Sequence, residues 1–284
     1  MSDDPTTPYP HLPPPPPAPL RPAPVRSSPT VNVAWLAVGS LAAVVGLLIS
    51  TFQVVGVLAH EEYDRTVRID DPAVSVLDVA SDGGAIEIVG ADVDGIRIDA
   101  HVSDGLVATR FTQDVVGDRL QVRVRCRAVI DNTWCRARLR IVIPHDLEVK
   151  VRSHDDTVTV RGVDGRVDAE TSNGTVEAEA LSGATRLRSD NGSVRATRLG
   201  TESIQAESSN GSVRLEFATA PLSAIAHSDN GSVDVALPRG DEGYAVDIHS
   251  SNGSTDNLVK ADPDSERRIV ATSSNGSVTV RYLD

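Results

Sequence analysis

The residue types that most often perform catalysis are dispersed along this 284-residue chain. The seven histidines do not stand at the spacing of a metal-binding motif, and neither a nucleophile elbow nor a phosphate-binding loop is present. Most Asp and Glu residues fall at outward or turn positions of an alternating pattern, where a solvated surface is the ordinary explanation. We therefore expect no catalytic residue, no metal ligand and no cofactor, and the sequence predicts a protein that is not an enzyme.

The two cysteines suggest a covalent link. Residues 119–128 and 134–143 both alternate between apolar and polar side chains, and pairing Cys126 with Cys135 would align them as an antiparallel hairpin with one apolar face. A disulfide between these cysteines is expected if this part of the chain lies outside the cytoplasm. A zinc site or a catalytic thiol is the weaker interpretation.

Four arginines would share the other face of that hairpin. The same alignment places Arg125 opposite Arg136 and Arg123 opposite Arg138. Like charges directly opposite each other destabilise a hairpin. Either Asp and Glu from neighbouring strands cover them, or the four arginines form a face that binds an anionic envelope polymer or lipid headgroups.

The dipeptide Asn-Gly recurs six times at intervals of 18 to 23 residues, each time followed by Ser or Thr. The copies are Asn173-Gly174, Asn191-Gly192, Asn210-Gly211, Asn230-Gly231, Asn252-Gly253 and Asn275-Gly276. Asn and Gly tolerate a positive φ, so the motif indicates a tight turn. The triplets also match the N-glycosylation sequon, and two copies resemble calcium-binding loops, but a recurring turn explains all six positions.

Alternate positions around each Asn-Gly hold Val, Ile, Leu or Ala, so each unit contains two short strands with one buried face. Stacked coils would make a two-sided β-solenoid. Alternatively, each Asn-Gly is a type I′ turn in an antiparallel meander. We favour the solenoid, because identical columns are most useful where equivalent positions touch.

The N-terminal 60 residues have a different composition. Residues 1–30 contain 12 of the 17 prolines and are expected to be a disordered, Pro-rich cytoplasmic tail. Residues 31–59 carry no charge and are expected to form a transmembrane helix. Arg21 and Arg26 precede this segment and acidic residues follow it, which places the N-terminus in the cytoplasm. Both segments are too long for a cleaved signal peptide.

The expected organisation is therefore a single-pass membrane protein with an all-β extracytoplasmic part. Residues 60–70 would be a linker, residues 71–148 an N-terminal β region with the disulfide-linked hairpin, and residues 149–284 a β-solenoid of 18–23-residue coils. The whole net charge of −13 lies after residue 60, which argues against a nucleic-acid partner.

Residues 70–284 resemble a bacterial family of β-strand-repeat domains of unknown function to which an adhesin role is ascribed. The resemblance rests on Val76-Leu77-Asp78-Val79 with Gly83-Gly84, on the strand end Ile141–Pro144, and on the Ser-x-Asn-Gly-Ser-Val copies. It implies a β-solenoid and leaves the ligand open. These motifs are structural, so the resemblance implies no functional residues.

Together these features predict a non-enzymatic, extracytoplasmic, adhesin-like binding or structural module on a membrane anchor. Its partners would be the membrane and an envelope polymer or protein. The alternative is a transmembrane signalling or regulatory protein, whose Pro-rich tail contacts a cytoplasmic partner while the β-repeat region senses the envelope.

Overall fold

The computed structural model describes residues 35–47, 50, 61–104, 109–126, 136–241 and 243–283. The chain divides into two compact units, Met1–Gln53 and Val54–Asp284. In the first unit a helix, α1, covers residues 35–47 and exposes large apolar side chains such as Trp35. No helix within the described ranges combines the length and the apolar character needed to cross a bilayer. The predicted span 31–59 is only partly described, and the predicted tail 1–30 lies outside the described residues.

The second unit is all-β. Its first seven strands are β1 (Glu61–Ile69), β2 (Val76–Ser81), β3 (Ile86–Ala91), β4 (Ile96–Asp104), β5 (Thr109–Val116), β6 (Arg119–Cys126) and β7 (Arg136–Pro144). The repeats supply β8 (Glu148–Ser153), β9 (Val158–Arg161), β10 (Val167–Thr171), β11 (Val176–Glu179), β12 (Thr185–Ser189), β13 (Val194–Leu199), β14 (Ser203–Ser208), β15 (Val213–Phe217), β16 (Ser223–Ser228), β17 (Val233–Leu237), β18 (Ala245–Ser250), β19 (Thr255–Asn257), β20 (Arg268–Ser273) and β21 (Val278–Tyr282). The expected linker is absent, because residues 61–69 form β1.

The strands form two sheets that enclose one apolar core. Sheet A has the order β1-β4-β7-β3-β9-β11-β13-β15-β17-β21-β19, and sheet B has the order β18-β20-β16-β14-β12-β10-β8-β2-β6-β5. Apolar residues at equivalent inward positions of neighbouring strands form columns. One such column contains Val158, Val176 and Val194, which are fully buried. This packing follows from the alternation of apolar and polar residues, since successive strand side chains point to opposite faces.

The two strands that flank each Asn-Gly corner belong to different sheets. Strand β10 pairs in parallel with β8 and β12, whereas β11 pairs in parallel with β9 and β13. The solenoid prediction is therefore confirmed for the repeats, and the antiparallel meander is wrong. Each coil contributes one strand to each sheet.

The repeat glycines are required by close stacking and not by a positive φ. The described residues with a left-handed φ are Gly84, Gly117, Gly162, Ala180 and Arg198, none of which is in an Asn-Gly copy. A Cβ on Gly192 would lie 1.9 Å from the carbonyl oxygen of Gly174, and a Cβ on Gly211 would lie 2.2 Å from that of Gly192. The predicted turn is present, but its predicted backbone reason is wrong.

A column of hydroxyls and a column of amides join the corners of adjacent coils. The Ser208 hydroxyl accepts a hydrogen bond from the Gly211 amide and donates one to the Gly192 carbonyl, both 2.8 Å long. The Asn210 side chain donates to the Asn191 side chain at 2.8 Å, and the same contact repeats along the stack. Its members, in spatial order, are Asp155, Asn173, Asn191, Asn210, Asn230, Asn275 and Asn252.

The coils do not stack strictly in chain order. The coil β20–β21 lies between β16–β17 and β18–β19, so the last coil of the sequence is an inner one. At the other end β2–β3 lies between β6–β7 and β8–β9. Strand β21 is paired on both sides, and the outer strands at its end of the stack are β18 and β19.

The predicted cysteine hairpin is wrong. Strand β6 pairs with β5 and β2 in sheet B, whereas β7 pairs with β4 and β3 in sheet A. Both strands alternate because each has one face on the core, and this pattern does not specify the strand with which each pairs. Cys135 and the Cys126 side chain lie outside the described residues, so the disulfide stays a prediction.

Candidate functional site

The structure separates the four arginines that we expected to share one face. Arg123 and Arg125 lie on β6 in sheet B, and Arg136 and Arg138 lie on β7 in sheet A. The outward side chains of two packed sheets point away from each other. A single anionic-ligand face built from all four residues therefore does not exist.

On sheet B, Arg123 is held by a buried carboxylate. Asp78 is 7% exposed and receives hydrogen bonds from Arg123 at 3.1 and 3.3 Å and from Arg119 at 3.4 Å. Burial by itself would raise the pKa of Asp78, but the hydrogen bonds and charges of Arg123 and Arg119 outweigh it and lower the pKa below its ordinary value. Arg123 thus has a structural partner, as the acidic-cover interpretation predicts.

On sheet A, Arg138 lies in a polar depression. This depression has a volume of about 390 Å³ and sits on the outer face where β1, β4 and β7 run side by side. We call it the β1–β4–β7 pocket; it is lined by Asp64, Arg65, Thr66, Asp99, Ala100, His101, Arg138 and Arg140.

Strand register brings these side chains together. Across the three strands, Asp64 is opposite His101 and His101 is opposite Arg138, so the three form one outward row. The next row contains Thr66, Asp99 and Arg140. Residues two positions apart along a strand point to the same face of the sheet. Both rows are therefore presented to solvent on the same side of sheet A.

Contacts within the pocket fix its acidic side. The His101 Nδ1 lies 2.7 Å from the Asp64 carboxylate, and the Thr66 hydroxyl donates to Asp99 at 2.8 Å. The hydrogen bond from Thr66, and then those from Arg97, lower the pKa of Asp99 below its ordinary value. Asp99 is consequently ionised at neutral pH and can accept further hydrogen bonds.

Arg138 differs from Arg140 and Arg161, which lie on the same sheet. Arg140 lies 2.9 Å from Glu87, and Arg161 lies 3.5 Å from Glu87 and 3.2 Å from Glu179. Acids on neighbouring strands therefore cover Arg140 and Arg161. Arg138 is exposed and makes no hydrogen bond or ion pair with any residue that the structure describes.

The pocket combines two kinds of hydrogen-bonding group. A guanidinium fork binds a carboxylate or phosphate with two parallel hydrogen bonds. The carboxylates of Asp64 and Asp99 can accept hydrogen bonds from ligand hydroxyls. Sequence reasoning identified Arg138 but missed Asp64, Asp99 and His101. The alternation of Asp64, Thr66 and Arg68 could have identified β1, which we interpreted as a linker.

The repeat-turn residues are structural. Asn191 donates both amide hydrogens, to the Asn173 side chain at 2.8 Å and to the Ser172 carbonyl at 3.3 Å. The same pair of bonds recurs at Asn210, and the nitrogen that glycosylation would modify is thus used within the stack. Within the described part of the chain, no group of three or more His, Cys, Asp or Glu is placed to hold a metal ion.

Residues 61–282 match the profile of the Toastrack DUF4097 family, from the first strand of sheet A to the end of β21. The chain belongs to this family. The predicted resemblance is confirmed, and the match begins at β1, which makes β1 a part of the domain. No protein with a curated description matches the chain.

Three solved structures to which this Toastrack chain is similar come from three different bacteria. A "putative cell adhesion protein" of Clostridium sporogenes is 10% identical, with 78% of this chain and 100% of that chain covered and a TM-score of 0.39. A "putative adhesin" of Bacteroides fragilis is 13% identical, with 78% and 97% covered and a TM-score of 0.39. A "Putative lipid binding protein" of Parabacteroides distasonis is 12% identical, with 79% and 97% covered and a TM-score of 0.28.

Proposed function

We propose that this Toastrack protein is a non-enzymatic binding module that holds an acidic, hydroxyl-rich polymer of the cell envelope in the β1–β4–β7 pocket. The observation that carries this proposal is Arg138, an exposed guanidinium without a described partner beside two carboxylates. An anionic group on the ligand would pair with Arg138, and neighbouring hydroxyls would donate to Asp64 and Asp99.

Both the pairing of charges and the sheet support this assignment. Asp64 is held by His101, so Arg138 is the charge of its row that has no partner among the described residues. In the next row, Arg140 is paired with Glu87. The side chains stand on three adjacent hydrogen-bonded strands, which keeps their spacing fixed. A site on regular strands is more precisely positioned than one on loops.

The proposed location is outside the cytoplasmic membrane, with residues 31–59 as the anchor. This segment carries no charged residue, and it is preceded by Arg21 and Arg26 and followed by Glu61 and Glu62. Such an asymmetry favours a cytoplasmic N-terminus. Weak pocket contacts would add up along a polymer if many anchored copies bind it together.

Binding to a defined acidic polymer tests the proposal. We expect the full chain to bind polygalacturonate but not neutral dextran, and Arg138→Gln to weaken polygalacturonate binding about tenfold, because a charge-assisted fork is lost. Arg125→Gln is the matched control, since Arg125 is also exposed but lies on sheet B. Deletion of residues 1–26 should leave the affinity unchanged. Equal affinities of Arg138→Gln and the wild-type chain would contradict the proposal.

A further inference from the structure

One end of the stack presents a strand edge without a partner. Strand β18 pairs with β20 on one side, and no strand within the described residues pairs with its other side. An unpaired edge offers a row of N–H and C=O groups to another strand. Its sheet A counterpart, β19, has only three residues and exposes Thr255 and Asn257 where inner coils have buried valines or other apolar residues. Both β18 and β19 are outer strands, and β18, with six residues, offers the longer edge.

The free groups on this edge belong to alternate residues of β18. The Ala245 N–H donates to the Arg267 carbonyl next to β20. The backbone N–H and C=O groups of residues 245, 247 and 249 therefore point towards β20, and those of residues 246, 248 and 250 point to the open edge. The preceding residue, Tyr244, is covered, because it donates to the Lys260 carbonyl and accepts from the Asp262 amide. The open part of the edge thus runs from Val246 to Ser250, with Ile248 at its centre.

The core is also incompletely covered at this end. Val246 and Ile248 are only partly buried although they pack against the core, whereas Ile269 and Ala271, at the same positions of the neighbouring strand, are fully buried. Leu258, just after β19, is 63% exposed. A further pair of strands on this end would bury these apolar side chains.

The edge is complementary to itself. Asp247 and His249 are both exposed on the outer face, and neither makes an ion pair with a described residue. If two copies of β18 run antiparallel with Ile248 opposite Ile248, Asp247 of each copy lies opposite His249 of the other. Asp247 and His249 would form a non-hydrogen-bonded pair, in which opposite side chains approach most closely. The backbone groups of Val246 would face those of Ser250.

We propose that two copies of this chain associate end to end through β18, in antiparallel register centred on Ile248. The contact is isologous, because a two-fold axis perpendicular to sheet B exchanges the copies. The same axis keeps both copies of sheet A on one side of the extended sheet B. The apolar layers of the two stacks then meet at Val246, Ile248 and Leu258.

Sedimentation equilibrium of the full chain in a mild detergent, with substitutions on β18, tests this proposal. Ile248→Pro removes an N–H that points to the open edge and breaks no bond to β20, so the stack should fold while the dissociation constant of the dimer rises at least about tenfold. His249→Asp places two acids opposite each other in both symmetric pairs, and we expect the dissociation constant to rise about tenfold.

Exchange of the two charged residues tests the register. The double variant Asp247→His/His249→Asp restores each opposite pair, so its dissociation constant should return to within about threefold of the wild-type value. Circular dichroism of each variant reports whether the stack is intact. A monomeric wild-type chain, association that none of the variants weakens, or a double variant as weak as His249→Asp would each overturn the proposal.

Discussion

At the residue scale, the difference between Arg123 and Arg138 shows why outward-pointing arginines in one alternating region have different roles. Arg123 is fixed by two hydrogen bonds to the buried Asp78 carboxylate. Arg138 has its neighbouring carboxylate, Asp64, already engaged by His101. The sequence predicts that these arginines point outward, but which acid reaches which arginine depends on the strand order. An arginine that is paired with an acidic side chain has a structural role, whereas an exposed arginine without such a pair is available to a ligand.

Asp78→Asn should destabilise the fold in a pH-dependent way. The pKa of Asp78 is lowered below its ordinary value of 3.8, so its contribution to stability is fully present above that value and is lost as the pH falls through the lower folded-state pKa. We expect the variant to lose about 2 kcal/mol of unfolding free energy at pH 7, because Arg123 and Arg119 keep their charges without a counter-ion.

Urea unfolding between pH 3 and pH 7 measures this effect. The difference between Asp78→Asn and the wild-type chain should remain constant from pH 7 to about pH 5 and shrink towards pH 3. The exposed Asp114 provides a control, and Asp114→Asn should stay within about 0.5 kcal/mol of the wild-type chain throughout. A penalty for Asp78→Asn that does not change with pH would show that the carboxylate charge is not responsible.

At the element scale, the hydroxyl column is what joins one coil to the next at the Asn-Gly corner. Ser208 is 2% exposed and bonds to glycines of two coils, Gly211 of its own and Gly192 of its neighbour. Ser153 occupies the same column in the first repeat and is 6% exposed, and its buried hydroxyl has no hydrogen-bond partner among the described residues. The two serines therefore differ in bonding at almost equal burial.

This difference predicts opposite outcomes for the same substitution. Ser208→Ala leaves the partly buried Gly211 N–H and Gly192 carbonyl without their hydroxyl partner, so it should lower the unfolding free energy by about 2 kcal/mol. Ser153→Ala removes an unsatisfied hydroxyl and should be neutral or slightly stabilising. Chemical denaturation of both variants measures the pair. Equal losses would mean that the column does not link the coils through these hydrogen bonds.

The sequence could predict which residues of a strand face the core better than it could predict which strands pair with each other. The columns at Val176 and Leu187 were predicted as inward positions, and both residues are buried. The columns also predicted parallel stacking, because equivalent positions must touch to form the asparagine and serine ladders. By contrast, Val124 and Ala137 were assigned to one hairpin. They are buried on strands of different sheets, and a period of two cannot distinguish the two arrangements.

The pocket was only partly predictable for the same reason. Arg138 was identified as an outward charge, but its neighbours in the pocket come from β1 and β4, which are distant in sequence. Asp64 meets His101 through antiparallel pairing of β1 and β4, and His101 meets Arg138 through pairing of β4 and β7. Neither pairing leaves a repeat in the sequence, because antiparallel register here is fixed by packing on the core and not by a turn motif.

At the scale of the whole molecule, the order of the coils departs from the order of the chain at both ends. Equivalent columns allow any coil to stack on any other, so the repeat pattern alone does not determine their order. Around the C-terminal coil, two contacts identify its neighbours. Arg281 on β21 pairs with Asp234 on β17 at 3.1 Å, and Asn275 bridges Asn230 and Asn252. The coil β20–β21 is therefore held inside the stack.

The observed order of coils and a stack in chain order predict opposite relative rates of amide hydrogen exchange for β18 and β20. Amide hydrogen exchange should be slower in β20 than in β18, by about tenfold or more, because β20 is paired on both sides and β18 on one. The comparison uses inward-bonded amides, Val270 and Ala271 against Asp247 and His249, at concentrations where the chain is monomeric. If the C-terminal coil were the outer one, its amides would exchange first. Faster exchange at Val270 than at Asp247 would therefore contradict the observed order of coils.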